Sequence, residues 1–488
     1  MKKLLITILC SLFIMSACSD SDDGNGNGTG GGGGDNPGTT TSLAERNILR
    51  AMEIADKAVA SYFDGSGMKM ARYYNPYTES PSDEVGSVWM YTSSIEAVNA
   101  ILHGLKAHKE HGNAELYNKH FSRYSELLQS LYDNAAYYKG TYTLTSYTQT
   151  KQWSVYAVPR GGDKGYADVV GDRNRNNVYD DQQWLVRELL EAYKLTGKTE
   201  YLTEAEYLTD YVLDGWDCTL NSNGKENGGI TWGPGYVTMH SCSNGPMVSP
   251  LVWLHELYKG KNDEITHRYI DTDKSRKTVS MKKSDYYLEF AKKVYEYQKS
   301  HLLRPDGVYD DMMGGESNQN VVYETIGGTR YRAHTPLRSR AGPAISYNSG
   351  TMLSGAADLY RATGESVYFD DAKKLTDTSF SHFAKAESAK PGCYTYDISG
   401  FNNWFNGVLM RGYVDVYPSY KNAATAIGSF QKNLDYGYEN FAYKSFLPTN
   451  LLVGWSRDNS NNRVEGMFTF AFAAEYAVLA RYELEKEN

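Results

Sequence analysis

From Ser42 onward the chain is written almost entirely in helical period. In "SLAERNILRAMEIADKAVASYF", Ser42 to Phe63, apolar residues recur every three or four positions and charges fill the rest. That is a helix with one face on a core. The next stretch, about Val88 to Lys109, is apolar on most faces. The alternation then repeats. Amphipathic helices are predicted near 114–135, 199–216, 284–302, 366–385 and 421–440. More apolar ones are predicted near 181–196, 245–260, 349–363, 405–417 and 465–484. Strand signals are sparse. A helix apolar all round is buried, so six buried and six half-exposed helices describe an inner ring within an outer ring. A solenoid of helical hairpins is the alternative.

An internal repeat supports the pairing. Tyr193-x-x-Thr-Gly-x-x-x-Tyr201-x-x-x-Ala205 recurs with the same spacing as Tyr360-x-x-Thr-Gly-x-x-x-Tyr368-x-x-x-Ala372. Gly197 and Gly364 stop one helix, and Tyr201 and Tyr368 open the returning one. Loops leaving the apolar helices are short, as in "LTGKTE" and "ATGES". Loops entering them are long and decorated, as in "GDRNRNNVYDDQQW" and "GGITWGPGYVTMHSCSNGP". Such asymmetry puts function on one rim, the mouth of the ring. The stretch "NDEITHRYIDTDKSRKTVSMKKSD", between an inner and an outer helix, is expected on the face away from the mouth.

The two ends of the chain differ in kind. Lys2 and Lys3 precede an apolar run that closes on "MSAC", which fits a secretory signal over 1–17. The ending resembles a lipobox, with Cys18 as the lipid-bearing residue. A Gly-, Ser-, Asp- and Asn-rich tether follows over 18–41, and the folded domain is expected over 42–488. The acidic start after Cys18 looks like a surface-export signal, so an outer-membrane lipoprotein at the cell surface is expected, held to the membrane by its lipid alone. Net charge is −9, and loss of the two signal lysines makes the mature chain more acidic. That disfavours nucleic acid. Cys218, Cys242 and Cys393 form neither a disulfide framework nor a zinc pattern. No metal and no cofactor is expected, and the long tether favours a monomer. Aromatic residues are 13% of the chain, with 42 Tyr, which suits sugar binding, although most such rings pack between helices.

The sharpest local signal is "VYDDQQW". One Asp before a helix is an ordinary cap, and Asp180 with Gln183 reads as a capping box. A single cap does not account for two aspartates flanked by Tyr179 and Trp184. Adjacent carboxyls repel, so one pKa rises while the other stays low. That is the division needed between a general acid and a nucleophile. Retaining glycosidases hold two carboxyls about 5–5.5 Å apart, a separation neighbouring residues at a loop-to-helix turn can reach.

"YDDQQW…LLEAYKLTG…YL", "CSNGP…LYKG", "YNSGTMLSGAADLYRATG" and "FNGVLMRGYVDVY" resemble glycoside hydrolase family 76, from about Ser42 to the C-terminus. The resemblance implies an all-α (α/α)6 barrel of six helical hairpins. It implies retaining, endo-acting cleavage of α-1,6-mannosidic bonds in a mannan backbone, with Asp180 as nucleophile and Asp181 as acid/base. Another (α/α)6 glycosidase, such as an unsaturated-glucuronide hydrolase, and a non-catalytic glycan-binding lipoprotein are the competing readings. Trp232, Trp404 and Trp455 lie on mouth-side loops and are candidates to stack on sugar. Asn244 and Asn348 begin inner helices and are candidate caps or hydroxyl ligands, and Tyr347 and Arg411 are candidates of the same kind. Asp172, Asn174 and Asn176 have calcium-loop spacing but lack the sixth-position Gly and the closing Glu. Arg330, Arg332, His334, Arg338 and Arg340 read as solvated loop charges or, alternatively, a contact for acidic decorations on a glycan.

Overall fold

The computed structural model describes residues 41–314 and 320–487. The expected signal segment, Cys18 and the tether up to residue 40 lie outside them. The body from Ser42 onward holds twelve α-helices among the described residues. They are α1 Leu43–Tyr62, α2 Val88–Glu110, α3 Ala114–Ala135, α4 Tyr179–Thr196, α5 Thr199–Asp214 and α6 Gly245–Tyr258, then α7 Lys283–Leu302, α8 Ser346–Thr363, α9 Ser366–Phe383, α10 Asn402–Val416, α11 Ala423–Phe441 and α12 Gly466–Glu485.

The even-numbered helices form the inner ring. Each touches the next, and α12 packs against α2. The odd-numbered ones lie outside, α1 against α12 and every other one against the inner helix before it. This is the (α/α)6 arrangement. Burial follows the sequence pattern. α12 is buried on nearly every face from Gly466 to Ala480, whereas α3 buries only a stripe that includes Tyr124, Leu128 and Leu131. α8 and α10 approach most closely, because Gly350 and Gly412 face each other. A Cβ on Gly350 would sit 2.7 Å from Leu409 backbone atoms, and one on Gly412 would sit 2.6 Å from the Gly350 carbonyl.

Helix ends are chemically marked. Ser42 and Ser87 accept from Glu45 N and Met90 N to cap α1 and α2. Gly197 and Gly364 adopt φ +71° and +73°, and each donates its N–H to the tyrosine carbonyl four residues back at 2.8 Å. The repeat is thus two copies of one left-handed stop. Every inner helix begins at the rim where the long loops meet.

Two hairpins go beyond the sequence reading. Strands Lys139–Thr145 and Thr150–Tyr156 pair within the α3–α4 loop. Strands Glu264–Ile270 and Arg276–Lys282 pair within the α6–α7 connection. The second hairpin is the insertion expected away from the mouth. That expectation needs correcting, because only its base lies there. At its tip Arg276 Nε donates to the Tyr147 carbonyl (3.1 Å), and the guanidinium pairs with Glu324 (2.9 Å). Both partners belong to mouth-side loops. A seven-residue strand at about 3.3 Å per residue is long enough to climb beside α7 to the rim.

Candidate active site

The first turns of the inner helices converge on a cleft of about 370 Å3. Asp180 and Asp181 come from α4, Trp89 from α2, Tyr347 from α8 and Phe405 from α10. The aspartates are not caps. The N-cap of α4 is Val178, which makes no side-chain cap bond, and Gln183 instead donates to the Ser243 carbonyl at 2.6 Å. Both carboxyls therefore face the cleft, at the positive end of the helix.

Their environments differ. Trp232 Nε1 donates to Asp180 Oδ2 at 3.4 Å, while Asp180 Oδ1 is buried without a partner. Burial raises Asp180 to about 6, held back by contacts from Cys242 and Trp232. Asp181 is 7% exposed. Burial, and then the charge of Asp180, raises it well above the usual carboxylate range. One carboxyl ionises first and the other keeps its proton, as a paired acid and base require.

The loop bearing Trp232 is pressed into place. Its backbone carbonyl accepts from Tyr179 N at 2.7 Å. A Cβ on Gly233 or Gly235 would meet the carbonyls of Asn177 and Arg173 at 2.6 and 2.4 Å, so "WGPG" can lie flat on the segment leading to the aspartates only because both positions are glycine. His240 stacks on Trp232 with centroids 4.7 Å apart. Burial lowers His240 to about 4, so it is neutral.

Of the residues singled out in the sequence, Asp180, Asp181, Trp184, Trp232 and Tyr347 line the cleft together. The others stand behind or away from it. Tyr179 is buried against Tyr211. Trp404 lies under the floor, 4.8 Å from Trp184, and its Nε1 donates to Glu96 at 2.9 Å. Arg411 pairs with Glu96 and underlies Trp184. Asn244 ties Ile230 to His240, and Asn348 donates to the Asp310 carbonyl. Trp455 packs on Tyr77 and donates to the Phe441 carbonyl. None of these six lines the cleft; Trp404, Arg411, Asn244 and Trp455 have their polar groups bonded within the protein, while Asn348 keeps its amide oxygen unpartnered. The basic run is also largely structural. Arg332 donates to the Pro234 and Tyr236 carbonyls, Arg330 covers Tyr323, and Arg340 reaches the Leu303 carbonyl and Asp310. In the loop of Asp172, Asn174 and Asn176, the Asn176 amide donates to Asp168 at 3.2 Å.

Sequence reasoning missed Trp89, Cys242, Asp311, Phe401 and Phe405. Trp89 and Phe405 stack with centroids 5.8 Å apart as one wall. A usable signal existed, since the rule that inner helices start at the mouth points to the first turns of α2 and α10 as well. Asp311 brings a third carboxyl, raised to about 6 by burial and by Asp310. Asp310 itself is held by Arg304 and Arg340.

The sequence model of Glycosyl hydrolase family 76 matches residues 278–434. That segment contains Tyr347 and the floor residues Trp404 and Arg411, and leaves the aspartate pair outside. No curated protein sequence matches the chain. Among solved structures, a family 76 glycoside hydrolase (mannosidase) from Bacteroides thetaiotaomicron VPI-5482 is similar at TM-score 0.64 and 20% identity, covering 90% of this chain and 99% of that one. Another family 76 glycoside hydrolase, from a bovine Bacteroides thetaiotaomicron strain, gives TM-score 0.64 and 17% identity over 91% and 78%. A Salegentibacter α-1,6-mannanase, in an inactive variant with two consecutive aspartates changed to asparagine and with α-1,6-mannotriose bound, gives 0.57 and 17% over 90% and 100%. At such identities the likeness is one of fold. Together, the matched segment and a fold shared over nine-tenths of the chain show its resemblance to glycoside hydrolase family 76, and the chain is a glycoside hydrolase.

Proposed function

We propose that the protein is a retaining, endo-acting hydrolase of α-1,6-mannosidic bonds in a mannan backbone. The observation that carries this reading is the aspartate pair, whose members are separated in acidity inside an aromatic cleft. Asp180, ionised first and facing the Trp232 N–H, attacks the anomeric carbon. Asp181, still protonated, gives its proton to the leaving oxygen. In the second half Asp181 takes a proton from water as that water attacks, and the bond to Asp180 breaks. Trp89, Trp184, Trp232 and Phe405 offer faces for sugar rings, and Asp311 offers an acceptor for hydroxyls. The mannanase similar in fold, inactive when two consecutive aspartates are replaced, supports the same choice here.

The N-terminal segment extends the proposal. A lipid on Cys18, a tether over 18–41 and a catalytic domain over 42–488 would hold a monomeric enzyme at the outer-membrane surface, where a polysaccharide can reach it without a transporter.

The test is hydrolysis of unbranched α-1,6-mannan by tether-free protein, beside Asp180→Asn and Asp181→Asn. Wild type should release mixed oligosaccharides early, with α-configured ends by NMR. Each variant should lose at least roughly a thousandfold in kcat/KM while remaining folded. Folded wild type that binds mannan but yields no product would favour a glycan-binding lipoprotein instead.

A further inference from the structure

A second cleft opens among the mouth-side loops, and the aspartate site makes no use of it. Its volume, about 370 Å3, equals that of the first. None of its walls comes from a ring helix. Thr219 and Ser222 belong to the turn after α5, Ile270 and Thr272 to the tip of the 264–282 hairpin, and Glu324 and His334 to the loop before α8.

Two groups in it are rigidly held. Arg276, its side chain 8% exposed, joins the hairpin tip to the mouth-side loops through Tyr147 and Glu324, and lies 4.2 Å over the Tyr331 ring. His334 Nδ1 meets Asp217 Oδ2 at 2.8 Å. Asp217 is 1% exposed and also accepts from Thr219 N at 3.1 Å. That bond leaves His334 Nε2 as the free ring nitrogen. It donates when the ring is protonated and accepts when it is neutral, and a hydroxyl satisfies both states. Exposed hydroxyls at Ser222 and Thr272 beside the apolar Ile270 also match the mixed faces of a sugar.

The charge argues for a neutral ligand. Glu324 balances Arg276 and Asp217 balances His334. Exposed Lys274 is the one lining cation without such a partner among the ion pairs described, too little to select an anion. A direct contact joins the loops that line the two clefts. Two residues before His334, Arg332 grips the Pro234–Tyr236 carbonyls of the loop that carries Trp232.

We propose that this cleft is a branch subsite. It takes a short neutral sugar side chain from the polysaccharide whose backbone lies in the aspartate cleft, with His334 as its fixed hydrogen-bonding group. The inference rests on the glycosidase reading of Asp180 and Asp181.

Calorimetry on the folded Asp180→Asn protein would compare unbranched α-1,6-mannooligosaccharides with the same backbone carrying single neutral mannose branches. Branched ligands should bind about tenfold more tightly, the value of one well-placed hydrogen bond. His334→Asn keeps a donor for Asp217 and removes Nε2. Ser222→Trp fills the cleft from an exposed turn. Each should abolish the preference and leave unbranched binding, and cleavage by the Asp180-intact protein, within about twofold. Equal affinity for both ligands overturns the proposal. So does a preference that survives both variants, or a stronger preference for phosphorylated branches. Unbranched backbone that wild type neither binds nor cuts defeats the glycosidase reading first, and the subsite with it.

Discussion

At the scale of single residues the site is a problem of two protons. In the proposed mechanism Asp180 is ionised and Asp181 protonated, so kcat/KM should rise with pH through about 6 on its acid side and fall only where Asp181 deprotonates. A pH profile of kcat/KM reads both limbs in the free enzyme. Trp232 lowers the Asp180 pKa by donating to it, so Trp232→Phe should move the acid limb to higher pH as well as weaken turnover. An unmoved limb would mean the indole serves sugar stacking alone. The same burial has a thermodynamic sign. Asp180 binds its proton more tightly folded than unfolded, so its contribution to stability is best at low pH and falls as pH rises from about 4 toward 6. At neutral pH the buried charge costs about 3 kcal/mol. Asp180→Asn should therefore raise the melting temperature at pH 7 while abolishing activity, and the gain should vanish near pH 4. Equal melting temperatures at both pH values would show that Asp180 is better solvated than its burial implies.

At the scale of elements, the helices were legible because burial imposes a period, and the period survives without knowledge of partners. The predicted helix near 349–363 starts three residues late, because Ser346, Tyr347 and Asn348 are polar or bulky yet buried in the floor. Site residues were legible where chemistry is rare, as with paired aspartates. They were not legible where it is common. Trp89 and Phe405 look like core residues until the position of each on its helix is known. The hairpin tip escaped for another reason: its placement is fixed by Arg276, Tyr147 and Glu324, far apart in sequence. The repeat offers a clean test of element-level reading. A Cβ on Gly197 or Gly364 meets nothing within 4 Å, so only the left-handed backbone opposes it. Gly197→Ala and Gly364→Ala should each cost about 1 kcal/mol, equally, in denaturant unfolding. A large inequality would show that the two stops are not equivalent.

At the scale of the whole molecule, the ring is held on its axis by charge as well as by apolar packing. Glu96 from α2 pairs with Arg411 from α10, accepts from Trp404, and so supports the floor on which Trp184 from α4 and Tyr347 from α8 rest. Glu475 from α12 faces the same arginine, and burial raises it to about 8, so it is mostly protonated at neutral pH. Removing one member of a buried pair costs about 3–5 kcal/mol, whereas removing both together is often close to neutral; for Arg411 the nearby Asp415 and Glu475 soften the first figure. Arg411→Met and Glu96→Gln should each lower the melting temperature sharply, and the double variant should recover most of the loss. Glu96→Gln retains an oxygen for the Trp404 N–H, so its kcat should suffer less than that of Glu96→Leu, which releases the indole beneath the cleft. If all three single variants melt alike and cut mannan alike, the axial pair is packing only and the floor is held by its aromatic contacts. If kcat follows the Trp404 acceptor while stability follows the charge balance, the inner ring sets the site through Glu96.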